Sequence, residues 1–490
     1  MKKLTNYQRT AQYLNKVFKL INEEYFNNEL EVPTITIQST VGAYGHVSVN
    51  KVWHNDTVAT HELNLSADYL NRPIENIVAT LIHEGCHLYA LQNNIKDTSN
   101  RNLTAGGVNE MWIRQDWLDA LGLDVPRTWD ELAEVAKAFV TRDPDGNGEN
   151  DTIGILGPGN SDHMNAVGGN QFGLDPLFSC FQSYPQYWLK SEDGSVEYGS
   201  IQPETKTALE NISKLYADGV IDPETLVRSD SKEPLLAGKV GIFFGPWWCA
   251  YTFADTTLSG SADWRAYFTP LSEDGKYYTH MAEPTTQYVV ASKDCKNPEA
   301  AFKIINYLVA NEQKWVEEGV TSTEMGTGDF YPLYNTYDNA DEIEKSYEAL
   351  TKYLAGDISM DDVDFSTHKL LKNDMEAVTK LKKKPYDDFS LKYWNLDSDL
   401  AKTNLPRLVA IMVGDAPLVN EEYVPVYNAY NGQTETMEAK WANLKKMEEE
   451  TFAKIIMGKA DISEFDTFVK NWKNQGGDQI LKEINDELSK

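Results

Sequence analysis

Residues 113–139 read IRQDWLDALGLDVPRTWDELAEVAKAF. Within them Thr128 and Glu131 stand three apart at the mouth of an amphipathic run, the capping-box spacing that predicts a helix start. Downstream, short apolar stretches that read as strands, Gly238–Phe244 and Gln287–Ala291, alternate with helical stretches such as Pro298–Asn311. That alternation predicts an α/β architecture. The end of the chain reads as helical throughout: Thr434–Met457 closing on Gly458, then Ile462–Trp472 and Asp478–Leu488, parted by the Gly476–Gly477 break. No internal repeat and no low-complexity tract interrupts this pattern.

Working towards the start, the character of the chain changes. Up to Leu103 there are 9 basic and 10 acidic residues, which leaves 36 basic against 65 acidic for the remainder. Tryptophan divides the same way, with only Trp53 before residue 104 and eleven after it. Two pieces are therefore expected, 1–103 and 110–490, with a junction at 104–109. The first reads as a helix from about Asn6 to Phe26, three short β-rich runs at Thr34–Gln38, Ala43–Asn50 and His61–Ser66, and a second helix from Pro73 to about Leu91.

The whole chain has 490 residues, room for roughly three domains at about 150 residues each, and 41% hydrophobic with 24% charged residues is ordinary globular usage. A net charge of -30 speaks against a surface that neutralises nucleic-acid phosphates or anionic lipid. No apolar run approaches the 18 residues or so of a membrane span. The opening MKKLTNYQRTAQYLNK is basic but has no apolar core behind it, so no signal peptide is expected and the chain as written reads as cytoplasmic. Cys86, Cys180, Cys249 and Cys295 are scattered without a CxxC pair, which argues against a disulfide framework or a cysteine-rich zinc module.

The sharpest motif is His83-Glu84-Gly85-Cys86-His87, set in the helical stretch ENIVATLIHEGCHLYAL. Residues i and i+4 share one helix face, so His83 and His87 are the candidate zinc ligands and Glu84 the candidate catalytic base for metal-assisted hydrolysis. With the helix, small sheet and second helix around it, and Asn94–Ser99 (NIKDTS) after it, residues 1–103 resemble the SprT-like zinc metalloprotease domain. The resemblance implies a small α+β, zincin-like fold and a third histidine downstream. Here the chain continues RNLTAGGVNEMW, with no histidine until His163, while His46, His54 and His61 are read as sheet or loop residues. A catalytic zinc needs three protein ligands and one open position, so a remnant site is expected, weakly zinc-binding and inactive as a protease.

The second feature is DPDGNGEND at Asp143–Asp151. Asp143, Asp145, Asn147 and Asp151 supply side-chain oxygens at positions 1, 3, 5 and 9 of an EF-hand-type loop, Gly148 the turn at 6, and Glu149 a carbonyl at 7. Position 12 is Gly154, so the bidentate carboxylate is missing, and a plain polar turn is the alternative. The third is Gly241–Tyr251, GIFFGPWWCAY, an apolar strand running into Trp247 and Trp248, whose flat faces suit a sugar ring. Tyr184, Tyr331 and Trp394 are further aromatic candidates for a ligand cleft.

Residues 110–490 resemble, through these segments and through TFAKIIMGKADISEFDTFVKNWKNQGGDQILKEIN, a lipoprotein-type extracellular solute-binding protein of a carbohydrate ABC transporter. The resemblance implies a periplasmic-binding-protein-like two-lobed α/β fold, an oligosaccharide ligand and a transporter permease as partner. It also implies a structural calcium in the DPDGNG-like loop and stacking by the tryptophan after FGP. The family's leader, lipidated cysteine and first hundred or so residues have no counterpart here, so an incomplete N-terminal lobe is expected. Carbohydrate binding is the main reading; a zinc metallopeptidase, or a folded fusion without function, are the alternatives.

Overall fold

The computed structural model describes residues 6–26, 28–38, 45–48, 51, 53–54, 59–67, 70, 74–92, 108–159, 171–191, 193–225, 227–281, 295–297, 299–300, 303–304, 307, 327–330, 333–336, 342–365 and 370–488. The chain divides into two compact units, Met1–Asn102 and Leu103–Lys490.

In the first unit a helix spans Asn6–Tyr25. A three-stranded sheet follows, with Glu62–Ser66 in the middle, parallel to Thr34–Gln38 and antiparallel to Gly45–Val47. A second helix, Ile74–Gln92, carries the histidine motif. Leu14, Phe18 and Ile21 from the first helix meet Leu63 and Leu65 of the central strand and Ile77, Leu81 and Leu88 of the second helix. Apolar residues three and four apart on each helix make this contact. A two-stranded ribbon, Trp53–His54 with Ala59–Thr60, was not expected from sequence.

The second unit is of the mixed α/β class read from the sequence. Its principal sheet has the order Trp264–Tyr267, Glu110–Arg114, Val240–Gly245, Ile153–Ile155. Glu110–Arg114 runs antiparallel to both neighbours, and Val240–Gly245 runs parallel to Ile153–Ile155. Both central strands are buried along their whole length, because helices cover both faces. Met111, Ile113, Ile242 and Phe244 point to one core, completed by Trp129–Thr141, Pro203–Ala217 and the three C-terminal helices. Trp112 and Phe243 point the other way, into a core formed with Leu371–Leu381, Asp399–Val409 and the π-helical turn Ala410–Gly414. Strand alternation thus divides one sheet between two hydrophobic layers.

Local signals are met closely in this unit. The Thr128–Glu131 capping box forms at the start of Trp129–Thr141. Thr128→Ala is expected to lower stability by about 1 kcal/mol in chemical unfolding; an unchanged midpoint would show the cap to be idle. The strand expected at Gly238–Phe244 is Val240–Gly245, and the terminal helices are Glu435–Ile456, Glu464–Trp472 and Asp478–Leu488. Between the last two, Gly476 adopts φ 137°, open to glycine alone. The strand expected at Gln287–Ala291, and most of the helix expected at Pro298–Asn311, lie outside the described residues.

Candidate ligand-binding site

Val240–Gly245 ends at Pro246, and the chain turns at once into the 3₁₀ segment Trp247–Tyr251. The turn needs glycine before it, since a Cβ on Gly245 would lie 2.5 Å from Cys249 Sγ. Trp247 and Trp248 are left half-buried and Tyr251 is 44% exposed, so aromatic surface collects at this end of the sheet. Gly414 presses against the same turn: a Cβ there would sit 2.6 Å from the Trp247 carbonyl.

Two acids that sequence reasoning missed flank this turn. Glu110 pairs with Gly245 across the sheet, and Asp415 follows Gly414. Both side chains are buried, and none of their four carboxylate oxygens has a hydrogen-bond partner among the described residues. Burial pushes Glu110 well above the usual carboxylate range, with the Asp415 and Glu421 charges adding to it. Burial likewise raises Asp415 to about 9, with Glu344 adding to it. Close by in sequence, the Asn109 amide donates to Asp175 Oδ1 at 2.8 Å, and burial raises Asp175 to about 8. His280 Nδ1 lies 4.0 Å from Asp175 Oδ2, and burial lowers this imidazole to about 3. Asp415, Asp175 and His280 are therefore mostly neutral near pH 7. A lone acid inside an apolar run, as in LVAIMVGDAPLV, was the available signal for Asp415.

Of the other aromatic candidates, Tyr184 and Trp394 are not brought together with Trp247 and Trp248 as an open surface. Tyr184 is 7% exposed and lies edge-on to His280, with ring centroids 5.2 Å apart. Trp394 is 3% exposed in the core, and its indole N–H donates to the Phe389 carbonyl at 3.2 Å. Their ring faces are taken up by protein packing, which corrects the expectation that they line a cleft. Tyr331 lies outside the described residues.

At Asp143–Asp151 the backbone folds as the loop expected, with Asp143, Gly146 and Gly148 at φ 43°, 68° and 82°. Gly148 N–H donates to Asp143 Oδ2, and the Asn147 amide donates to Asp145 Oδ2 and Asp151 Oδ1 at 2.9 and 3.2 Å. Glu149 N–H donates to Asn147 Oδ1 at 2.6 Å. Asp145 is raised, by desolvation first and by the Asp143 and Asp151 carboxylates beside it. Asp151 is held low, chiefly by Lys239, whose ammonium lies 2.7 Å away. Oxygen donors thus gather around Asn147, but Gly154 offers none, and the carboxylates as placed are bridged by an amide and a lysine.

On Ile74–Gln92, positions 83 and 87 stand one turn apart, as a helix dictates. The side chains of His83 and His87 lie outside the described residues; Glu84 is buried. His61 is a buried sheet-edge residue whose Nδ1 lies 2.8 Å from the Ser48 carbonyl. Among the described residues no group of three or more His, Cys, Asp or Glu side chains is placed to hold a metal ion.

Comparison with known proteins agrees with both halves of this architecture. Residues 91–315 match the family model of bacterial extracellular solute-binding proteins, and residues 14–101 match that of the SprT-like family. The polygalacturonan/rhamnogalacturonan-binding protein YtcQ of Bacillus subtilis is 25% identical over 378 residues, 76% of this chain and 66% of that protein. Lipoprotein LipO of the same organism is 37% identical over 140 residues, 27% of this chain and 25% of its own length. The fructooligosaccharide ABC transporter substrate-binding protein FusA of Streptococcus pneumoniae is 31% identical over 167 residues, 32% of this chain and 29% of that one. The solved structure of FusA with kestose superposes with a TM-score of 0.49 at 17% identity, covering 80% of this chain and 74% of that chain. The chain spans from a quarter to two thirds of the length of these three curated relatives.

Proposed function

We propose that residues 110–490 bind an oligosaccharide, as the substrate-binding component of a carbohydrate ABC transporter acting outside the cytoplasm. The observation that carries this reading is the half-buried Trp247–Trp248 turn at the end of the principal sheet, in a segment matched to solute-binding proteins. Flat aromatic surface beside a few polar groups is the chemistry by which a protein holds a sugar ring. No helix among the described residues is long and apolar enough to cross a membrane; the partner in this reading is an ABC transporter permease. Residues 1–103 are a separate SprT-like domain in this reading. Its zinc, held by His83 and His87, would polarise a bound water beside Glu84; two histidines fall short of the usual three protein ligands, which makes the domain a remnant rather than a peptidase. Calcium is proposed as a structural ion at Asp143, Asp145, Asn147, the Glu149 carbonyl and Asp151, held weakly for want of a position-12 carboxylate.

One thermal-unfolding series tests all three parts, since a ligand that binds only the folded state raises its midpoint. A neutral oligosaccharide is expected to raise the midpoint of the full chain, and Trp247→Ala to weaken that ligand at least about tenfold. Calcium is expected to add about 2–4 °C, lost in Asp145→Ala. Zinc with a His83→Ala control is expected to bind weakly and without caseinolytic activity. Shifts by zinc alone, with tight one-to-one stoichiometry, would transfer the reading to a peptidase.

A further inference from the structure

A cavity of about 470 Å³ opens against the outer edge strand Trp264–Tyr267. Four aromatic side chains line it, Tyr267, Tyr347, Tyr386 and Phe389. Met412 and Val413, from the π-helical turn whose Gly414 packs on Trp247, form another part of its wall. π-Helical turns are uncommon and recur at functional sites, because the extra residue redirects side chains that a regular helix would turn away.

The walls of this cavity are held in place from behind. Lys382 Nζ lies 4.8 Å from the Phe389 ring centroid and 5.3 Å from that of Trp394. The Tyr347 hydroxyl accepts from the Asn420 amide at 2.7 Å, and the Tyr267 hydroxyl donates to Gln115 Oε1 at 3.3 Å. A pocket whose side chains are already placed spends less ordering entropy when a ligand enters.

Its charge restricts the ligand. Among the described lining residues the one cation, Arg265, is paired with Asp263 and Asp388, each at 3.2 Å, and Asp387 adds a carboxylate to the lining. Asp263, Asp387 and Asp388 offset Arg265 and the Lys382 ammonium behind Phe389, which disfavours a uronate or phosphate, while aromatic faces and hydroxyls suit the C–H faces and hydroxyls of an uncharged sugar. The volume lies in the range of small-molecule pockets, about 300–1,000 Å³.

We propose that this cavity is a second subsite, taking one or two rings of a neutral oligosaccharide. It rests on the carbohydrate reading above but not on the Trp247–Trp248 surface.

Titration calorimetry of the full chain with kestose, maltotriose, raffinose and trigalacturonate tests it, on wild type, Trp247→Ala, Tyr386→Ala and Ala355→Trp. Ala355 is an exposed helix residue on the cavity lining, so tryptophan there fills the space without entering the core. At least one neutral trisaccharide is expected to bind and trigalacturonate not to bind. Tyr386→Ala and Ala355→Trp should each weaken the neutral ligand about tenfold, with unfolding midpoints held. If both variants bind like wild type while Trp247→Ala loses the sugar, the subsite is wrong and the carbohydrate reading stands. Equal affinity for trigalacturonate would also overturn the subsite. If wild type binds none of the four, both fall.

Discussion

Between pH 6 and 9 the second unit is expected to lose stability steadily as pH rises, and Asp415→Asn is expected to remove about 1.4 kcal/mol of that loss per pH unit. Asp415 is held up to about 9 by burial in the folded chain, with no partner for either oxygen among the described residues. Unfolded, it ionises near pH 4. A raised carboxyl therefore contributes fully below pH 4, and its contribution falls as pH climbs towards 9. Across three pH units this one group accounts for about 4 kcal/mol. Glu110 and Asp175 act in the same direction, Asp175 up to about 8. His280 works in the opposite sense: lowered to about 3, it is neutral when folded, and its contribution is lost as pH falls from about 6.5. Three raised carboxyls outweigh one lowered imidazole above pH 4, so these four groups together place the optimum near pH 4. Denaturant midpoints read by tryptophan emission report on this unit, which holds eleven of the twelve tryptophans. A wild-type midpoint flat from pH 6 to 9, or a slope unchanged in Asp415→Asn, would remove the argument.

Arg407→Met should destabilise the same unit by about 3–5 kcal/mol, and Asp374→Leu added to it should restore most of that. The Arg407 guanidinium donates from Nε to Asp374 Oδ1 at 2.8 Å and from Nη2 to Oδ2 at 2.9 Å. Their side chains are only 14% and 5% exposed, and the pair ties Asp399–Val409 to Leu371–Leu381. Removing the cation alone strands the buried Asp374 carboxylate, and also takes the guanidinium away from buried Glu342, 3.9 Å from it; the double variant removes the first of these costs and leaves two apolar side chains of similar bulk in the core. Equal loss in the single and double variants would show that the pair matters for its shape and not for its charge.

These effects also separate what could be read along the chain from what could not. Thr128 with Glu131 and Gly476 between two helices are signals whose partners lie within a few residues, and each is realised where expected. The tryptophans after FGP could be singled out for the same reason, since a strand followed by Gly-Pro and two indoles is a local pattern. The fates of Tyr184 and Trp394 were not legible: one is sealed by His280, 96 residues on in sequence, the other by the core beneath Phe389. Aromatic residue type favours burial and ligand contact alike, and only the neighbours decide between them.

By itself the sequence determined the α/β class, the Thr128–Glu131 helix cap and the place of the acidic loop. These depend on residue type and on spacings of three, four or two, which hydrogen-bond geometry and side-chain direction convert directly into structure. Only the tertiary structure decided that Glu110 and Asp415 are buried without partners among the described residues, and that an aromatic cavity forms beside Arg265. Glu110 and Asp415 are 305 residues apart, and Tyr267 and Tyr386 are 119 apart. Burial and cavity shape arise from packing between such distant segments, and no periodicity along the chain encodes that packing.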